Sequence, residues 1–390
     1  MRHQLMDGDA LVRDMRAALP ALLAEIGTLV RTESPSADLA AVARCAGVVA
    51  DLGTRRLGVA PDRIVLDGHT HLRWRLGQET GRGPDRVLLL GHHDTVWPVG
   101  TLATHPWTTT GGRLRGPGCF DMKAGVVMAL HAAAAAARRG AAVTVLITGD
   151  EEIGSPSSRA LIEQEAAGAR AALVLEASAD GGALKTARKG AGFYRVRITG
   201  RAAHAGLEPE RGVNAAVELA HQLLAVHGLG DPDLGTTVTP TAVTAGTTTN
   251  TVPGAAGFAV DVRVRDEAEQ HRVAAALAGL RPVLDGARLV VEGGGNRPPL
   301  TAAASAGLFR RATALADRLG LPPLSGAAVG GASDGNFTAG VGTPTLDGLG
   351  AVGGGAHADD EHVLIDALPG RTALVTALIC DVLDDTGGGR

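Results

Sequence analysis

The chain has 390 residues, of which 45% are hydrophobic and 20% charged, with a net charge of −4. That length predicts at least two structural units with a substantial core, and the near-balanced charge gives no pull toward nucleic acid. Only 2% of residues are aromatic, so the core is expected to be built mostly from Ala, Val and Leu.

Residues 1–24 interleave Arg2, Asp7, Asp9, Arg13, Asp14 and Arg16 with apolar positions, and they lack the uninterrupted apolar centre of a signal peptide. The longest apolar run, 126–137 apart from His131, is short for a bilayer span. Cys45, Cys119 and Cys380 form no close-spaced pair, which argues against a disulfide framework or a thiolate zinc site. These features predict a cytoplasmic protein with no membrane partner.

In chain order, helical spacing covers 9–26 and 37–52. Strands are predicted at 64–66, 71–76 and 87–90, a helix at 122–139, a strand at 143–148, a helix at 157–165 and a strand at 172–175. This alternation predicts an α/β fold, a mostly parallel sheet with helices on both faces. From about 190 the pattern changes to the half-exposed alternation of 193–198. A helix at 212–227, strands at 236–243 and 256–264, a helix at 267–280 and a strand at 288–291 come next. That series is a complete small α+β unit. Gly293 to Pro299 reads as the return crossing, and a helix at 302–319, a strand at 344–346 and a helix at 368–383 close the chain. The expected organisation is a larger domain in two parts, 1–189 and 300–390, interrupted by a smaller unit at 190–299. Glycines near 190–192 and 293–295 are candidate hinges.

Polar clusters fall where strands of the larger domain should end. Gly91-His92-His93-Asp94 comes directly after the apolar run 87–90, and alternation puts His92 and Asp94 on one face. There a carboxylate could fix the tautomer of a metal-binding imidazole. Asp121 lies on the glycine-rich turn 116–118 before a helix, where an N-cap is the simpler role. Asp150, Glu151 and Glu152 come after the strand at 143–148, Glu176 closes the strand at 172–175, and His357 sits in a loop after 353–355. Two histidines with several carboxylates form a nitrogen and oxygen donor set that suits zinc or a similar divalent ion in an open catalytic site. Two ions about 3.5 to 4 Å apart would have enough ligands. Of the pair Glu151 and Glu152, one could be a base and the other a ligand.

These clusters, in this order, resemble the di-zinc metallopeptidases that include glutamate carboxypeptidase of the carboxypeptidase G type, aminoacylase, acetylornithine deacetylase and succinyl-diaminopimelate desuccinylase. The resemblance covers nearly the whole chain. It implies that Asp121 bridges two divalent ions, with zinc expected and cobalt or manganese as alternatives. His92 and Glu176 would complete one ion's protein ligands, and Glu152 and His357 the other's. Asp94 would orient His92, and Glu151 would be the general base. A cis peptide is implied at Asp121-Met122. The inserted unit would serve as a lid and dimerisation domain, in which His204 of one subunit polarises the scissile carbonyl in its partner. Taken alone, His204 could be a hydrogen-bonded turn histidine. Asn250 and Arg263 match substrate-holding positions, although Arg263 could instead pair with Asp261 or Asp266. Gly331 and Ser333 lie in a stretch resembling the glycine-rich loop near the substrate carboxylate.

The implied activity is hydrolysis of an amide bond beside a free carboxylate, in small peptides or N-acyl amino acids. An N-acyl amino acid deacylase is the second reading, and an acyl-transfer enzyme or a non-catalytic relative are the rivals. A literal GxGxxG at 348–353 runs on into more glycine rather than opening a helix, so no dinucleotide site is expected.

Overall fold

The computed structural model describes residues 8–77 and 86–384, so Arg2 and Asp7 of the amino-terminal pattern lie outside the described residues. The fold divides into two compact units. One holds the described residues up to Ala187, Ala302–Val329 and those from Ser333 on; the other holds Arg188–Thr301 and Gly330–Ala332.

The first unit is built on a six-stranded sheet in the order Asp62–Leu66, His69–Leu76, Val143–Thr148, Val87–His92, Ala171–Val174, Thr345–Leu346. The strands Val87–His92, Val143–Thr148 and Ala171–Val174 are buried along their whole length, as unbroken apolar runs covered on both faces should be. The three pairings from Val143–Thr148 to Thr345–Leu346 are parallel, but the two at the other side are antiparallel. The sheet is therefore mixed, with three of its five pairings parallel rather than nearly all of them. One of the two antiparallel pairings has a local cause: Asp67 and Gly68, at φ 47° and 85°, form the two-residue turn of a hairpin, and such a turn can join only antiparallel strands.

The helix Leu39–Leu57 starts at Asp38, whose carboxylate accepts the Ala41 N–H, and stops at Gly58 in the left-handed region. The helical pattern at 9–26 resolves into two helices, Gly8–Ala17 and Leu19–Val30, with Pro20 in the first turn of the second. The stretch Cys119–Ala137 is continuous enough to meet the length and hydropathy of a membrane span, longer than the run at 126–137 suggests, yet 94% of it is buried inside the protein. Its alanines allow close packing, and at Gly125 a Cβ would lie 2.0 Å from the Leu175 carbonyl oxygen.

One buried acid ties the sheet to a helix. Glu165, 1% exposed, accepts hydrogen bonds from Arg73 and Arg75 on a strand, at 2.8 and 2.6 Å, and Arg86 lies 3.4 Å away. Glu165→Ala leaves three cations without their shared partner, so a loss of about 3 kcal/mol in chemical denaturation is expected, with turnover per folded molecule unchanged. A loss below about 1 kcal/mol would show the arginines to be adequately solvated without it.

The second unit is a four-stranded antiparallel sheet ordered Thr237–Ala245, Ala255–Val264, Gly190–Thr199, Arg288–Arg297. Alternate residues Tyr194, Val196, Ile198, Val260 and Val262 are buried with Leu219, Val273 and Leu277 of the helices Ala215–His227 and Glu267–Ala278. The last strand runs on through Gly293–Gly295, with Gly295 opposite Gly192. Neither glycine stretch is thus a crossing or a free hinge; both are ladder. At Gly293, φ 98°, a Cβ would come within 2.2 Å of the Phe193 carbonyl oxygen.

Candidate metal centre

The parallel pairing sets the carboxyl ends of three neighbouring strands side by side, with His92 opposite Thr148 and Leu90 opposite Val174. The residues just beyond these strands therefore meet in one place: Asp94 after the first, Glu151 and Glu152 after the second, Glu176 after the third. Asp121 enters from the turn ahead of the helix Ala124–Ala137, and His357 from the loop after Gly353–Gly354.

His92 Nε2 lies 3.4 Å from Asp121 Oδ1 and 3.5 Å from Glu176 Oε1. His357 Nε2 lies 3.3 Å from Asp121 Oδ2 and 3.3 Å from Glu152 Oε2. Asp121 thus presents one oxygen to each imidazole. Donor atoms of His92, Asp121 and Glu152 fall within 4.8 Å of one another, as do those of His92, Glu151 and Glu176. On its other side, His92 Nδ1 is 3.0 Å from the Asp94 carbonyl oxygen and 3.4 Å from its carboxylate. Both acceptors favour a proton on Nδ1 and a lone pair on Nε2. The peptide between Asp121 and Met122 is cis.

Burial opposes charge on His92, but the carboxylates of Asp121, Asp94 and Glu176 outweigh it and hold its pKa well above the ordinary value. The Asp121 and Glu152 carboxylates lift His357 to about 10. Asp94 is fully buried, which by itself would raise its pKa, yet His92 and the Ser36 hydroxyl bring it down to about 2. Burial raises Glu152. This is a cluster of negative charge in want of cations. His92 Nε2 and Glu152 Oε1 are buried with no hydrogen-bond partner among the described residues, and both belong to the cluster. Unpaired donor atoms beside converging carboxylates, with no thiolate, fit divalent metal of the zinc type.

The residues supporting this arrangement are largely invisible in the sequence. Asp94 accepts the Ser36 hydroxyl at 2.6 Å and the amides of Glu151 and Glu152, both at 3.2 Å, so one carboxylate holds the loop that carries two others. Asp150 is absorbed by its own turn, accepting from the amides and hydroxyls of Ser157 and Ser158. Glu361 lies beneath the Asp121 turn, accepting from its backbone amides. Nothing in the acidic run Asp359-Asp360-Glu361 marks its third member for that role.

Residues 88–381 match peptidase family M20/M25/M40. The chain belongs to this family. Carboxypeptidase G2 of Pseudomonas sp. (strain RS-16) is 32% identical over 375 residues, which cover 93% of this chain and 89% of that protein. Acetylornithine deacetylase of Myxococcus xanthus is 30% identical over 188 residues, 45% of this chain and 49% of that one. The M20 metallo-carboxypeptidase Sso-CP2 of Sulfolobus solfataricus has the same fold, with a TM-score of 0.73 at 16% identity, over 93% of this chain and 99% of that one. This M20/M25/M40 member is accordingly a hydrolase of a metallopeptidase family.

Each remaining candidate of this M20/M25/M40 chain has its own local setting. His204 is exposed on the short ladder Ala203–His204, and its Nδ1 accepts the amides of Gly206 and Leu207, both at 3.1 Å. Two donors on Nδ1 leave the ring's proton on Nε2. Asn250 is exposed, and its carbonyl accepts the Ala205 amide. The Arg263 guanidinium grips Asp261 through two bonds of 2.8 and 2.9 Å, the ion-pair alternative, with Phe193 beneath it. The Gly331 carbonyl accepts from Arg188. Ser333 is buried and donates to Asp347 at 2.6 Å, so its hydroxyl is already engaged.

Proposed function

We propose that this hydrolase cleaves the amide bond next to a free carboxylate, as a carboxypeptidase acting on small peptides or N-acyl amino acids. The observation that carries the reading is the placement of Asp121 between His92 and His357, with Glu152, Glu176 and Glu151 around them. The similarity to carboxypeptidase G2 along nearly the whole chain favours the carboxypeptidase branch. The shorter match to an acetylornithine deacetylase keeps N-acyl amino acid deacylation as the second reading.

In this reading His92, Asp121 and Glu176 hold one divalent ion, and Asp121, Glu152 and His357 a second, with zinc expected and cobalt or manganese as alternatives. Ions there would polarise the substrate carbonyl and acidify water. Asp94 fixes His92 and the Glu151-Glu152 loop. Glu151 takes the proton of the attacking water and returns it to the leaving amine. His204, with its proton on Nε2, is the proposed donor to the developing oxyanion, acting in the partner subunit of a homodimer. The edge strand Thr237–Ala245 and the exposed Leu224 and Val217 support the inserted unit as the dimer surface. Asn250, Arg263, Gly331 and Ser333 are proposed around the substrate. Arg263 would have to exchange Asp261 for the substrate carboxylate.

Matched N-acyl amino acids with free and amidated carboxyl groups test the specificity. A preference of about 10²-fold or more in kcat/KM for the free acid is expected, because a site built for a polar group rejects the analogue lacking it. Equal cleavage would refute the carboxypeptidase reading. Acyl groups appearing on an added amine instead of in free acid would identify acyl transfer.

A further inference from the structure

Glu361 is an acid only 3% exposed, yet among the described residues no cation bonds it directly, and Lys123 acts on it only by longer-range attraction. Its partners are four N–H donors. Oε1 accepts the amides of Phe120 at 2.8 Å and Asp121 at 3.0 Å, while Oε2 accepts the Gly118 amide and the Trp97 indole, both at 2.8 Å. The three amides belong to the turn that delivers Asp121, where Gly118 is in the left-handed region at φ 71° and Asp121 leaves helical geometry. Glu361 itself sits four residues beyond His357, in a tight turn where its own N–H bonds the Ala358 carbonyl at 3.0 Å and the Ala358 N–H bonds that of Gly355 at 2.9 Å. One carboxylate therefore joins the chain segments that carry Asp121 and His357, whose side chains meet at 3.3 Å.

We infer that Glu361 is a positioning residue that holds the Asp121 turn and the His357 loop at the separation the two divalent ions need; the inference rests on the metal assignment proposed above. An acceptor with two oxygens and a full charge suits four donors converging on it. Glutamine has the same shape, but its NH₂ would face two N–H groups that it cannot accept from. Aspartate keeps the charge but is one methylene too short to reach the Asp121 and Gly118 amides together from the same backbone position.

The test uses the full chain stripped of metal and titrated with Co²⁺, with affinity read by chelator competition and geometry by the visible absorption of the bound ion. Wild type is expected to take up two ions. Glu361→Gln, folded by circular dichroism, is expected to bind them about 10- to 100-fold more weakly with a changed spectrum, as for other residues that orient metal ligands. Should the glutamine variant fail to fold, Glu361→Asp is measured, and a loss of about tenfold is expected. Trp97→Phe removes one donor remote from Asp121 and should leave the spectrum unchanged. A folded glutamine or aspartate variant with wild-type affinity and spectrum would overturn the inference while leaving the metal assignment standing. Failure of wild type to bind Co²⁺ would overturn the assignment itself, and the inference with it.

Discussion

Glu151→Ala is expected to lower kcat by a factor on the order of 10² to 10⁴ while both metal ions stay bound. The range is that of a positioned proton-transfer group, and it corresponds to about 3 to 5 kcal/mol of barrier. Metal is expected to remain because what holds the loop is the backbone: the Glu151 amide donates to Asp94 at 3.2 Å, and the Glu152 amide does the same. Removing the Glu151 side chain touches neither bond. The outcome also decides a question of role, since a Glu151 oxygen lies within 4.8 Å of donor atoms of His92 and Glu176. Elemental analysis showing one ion lost in Glu151→Ala would make Glu151 a ligand rather than the base. Unchanged turnover would remove it from the mechanism.

Asp121→Asn should have the larger effect on metal. The two Asp121 oxygens face different histidines, at 3.4 and 3.3 Å, so losing its charge weakens both halves of the centre together. Metal content is expected to fall below one ion per chain, with activity reduced about 10³-fold or more and not restored by added Co²⁺. Wild type stripped by a chelator should lose activity equally but recover it on reloading. Two ions retained at full affinity in Asp121→Asn would show that the ions are held separately, without a shared aspartate.

Much of the fold is legible along the chain, and where sequence and structure part the reason is specific. The strands around 87–92, 143–148 and 171–174 stand out as unbroken apolar runs, because a strand buried on both faces has no polar side to show. One antiparallel pairing of the sheet is also written locally, in Asp67 and Gly68, a two-residue hairpin signal that the overall strand-helix alternation obscures. The strand Arg288–Arg297 looks shorter in sequence because its three glycines resemble a link, and only the pairing with Gly190–Thr199 shows them as ladder. Arg263 and Asp261 stand two apart on one strand and so share a face, which makes their ion pair foreseeable as one of two outcomes.

For the centre itself, the sequence by itself determined the ingredients. It set an acid or histidine at the end of each buried strand, donor types suited to zinc, and an order of motifs that pointed to the family through resemblance. Tertiary structure alone decided which of those groups meet. Asp150 and Glu151 are adjacent, yet Asp150 is consumed by the hydroxyls and amides of Ser157 and Ser158, whereas the Asp94 carboxylate secures the backbone of Glu151. Glu361 is legible only in three dimensions, because three of its four partners are backbone amides some 240 positions away that any sequence would carry. Side-chain chemistry is local and can be read from residue names. Backbone donors become specific only when the fold turns them toward a single acceptor.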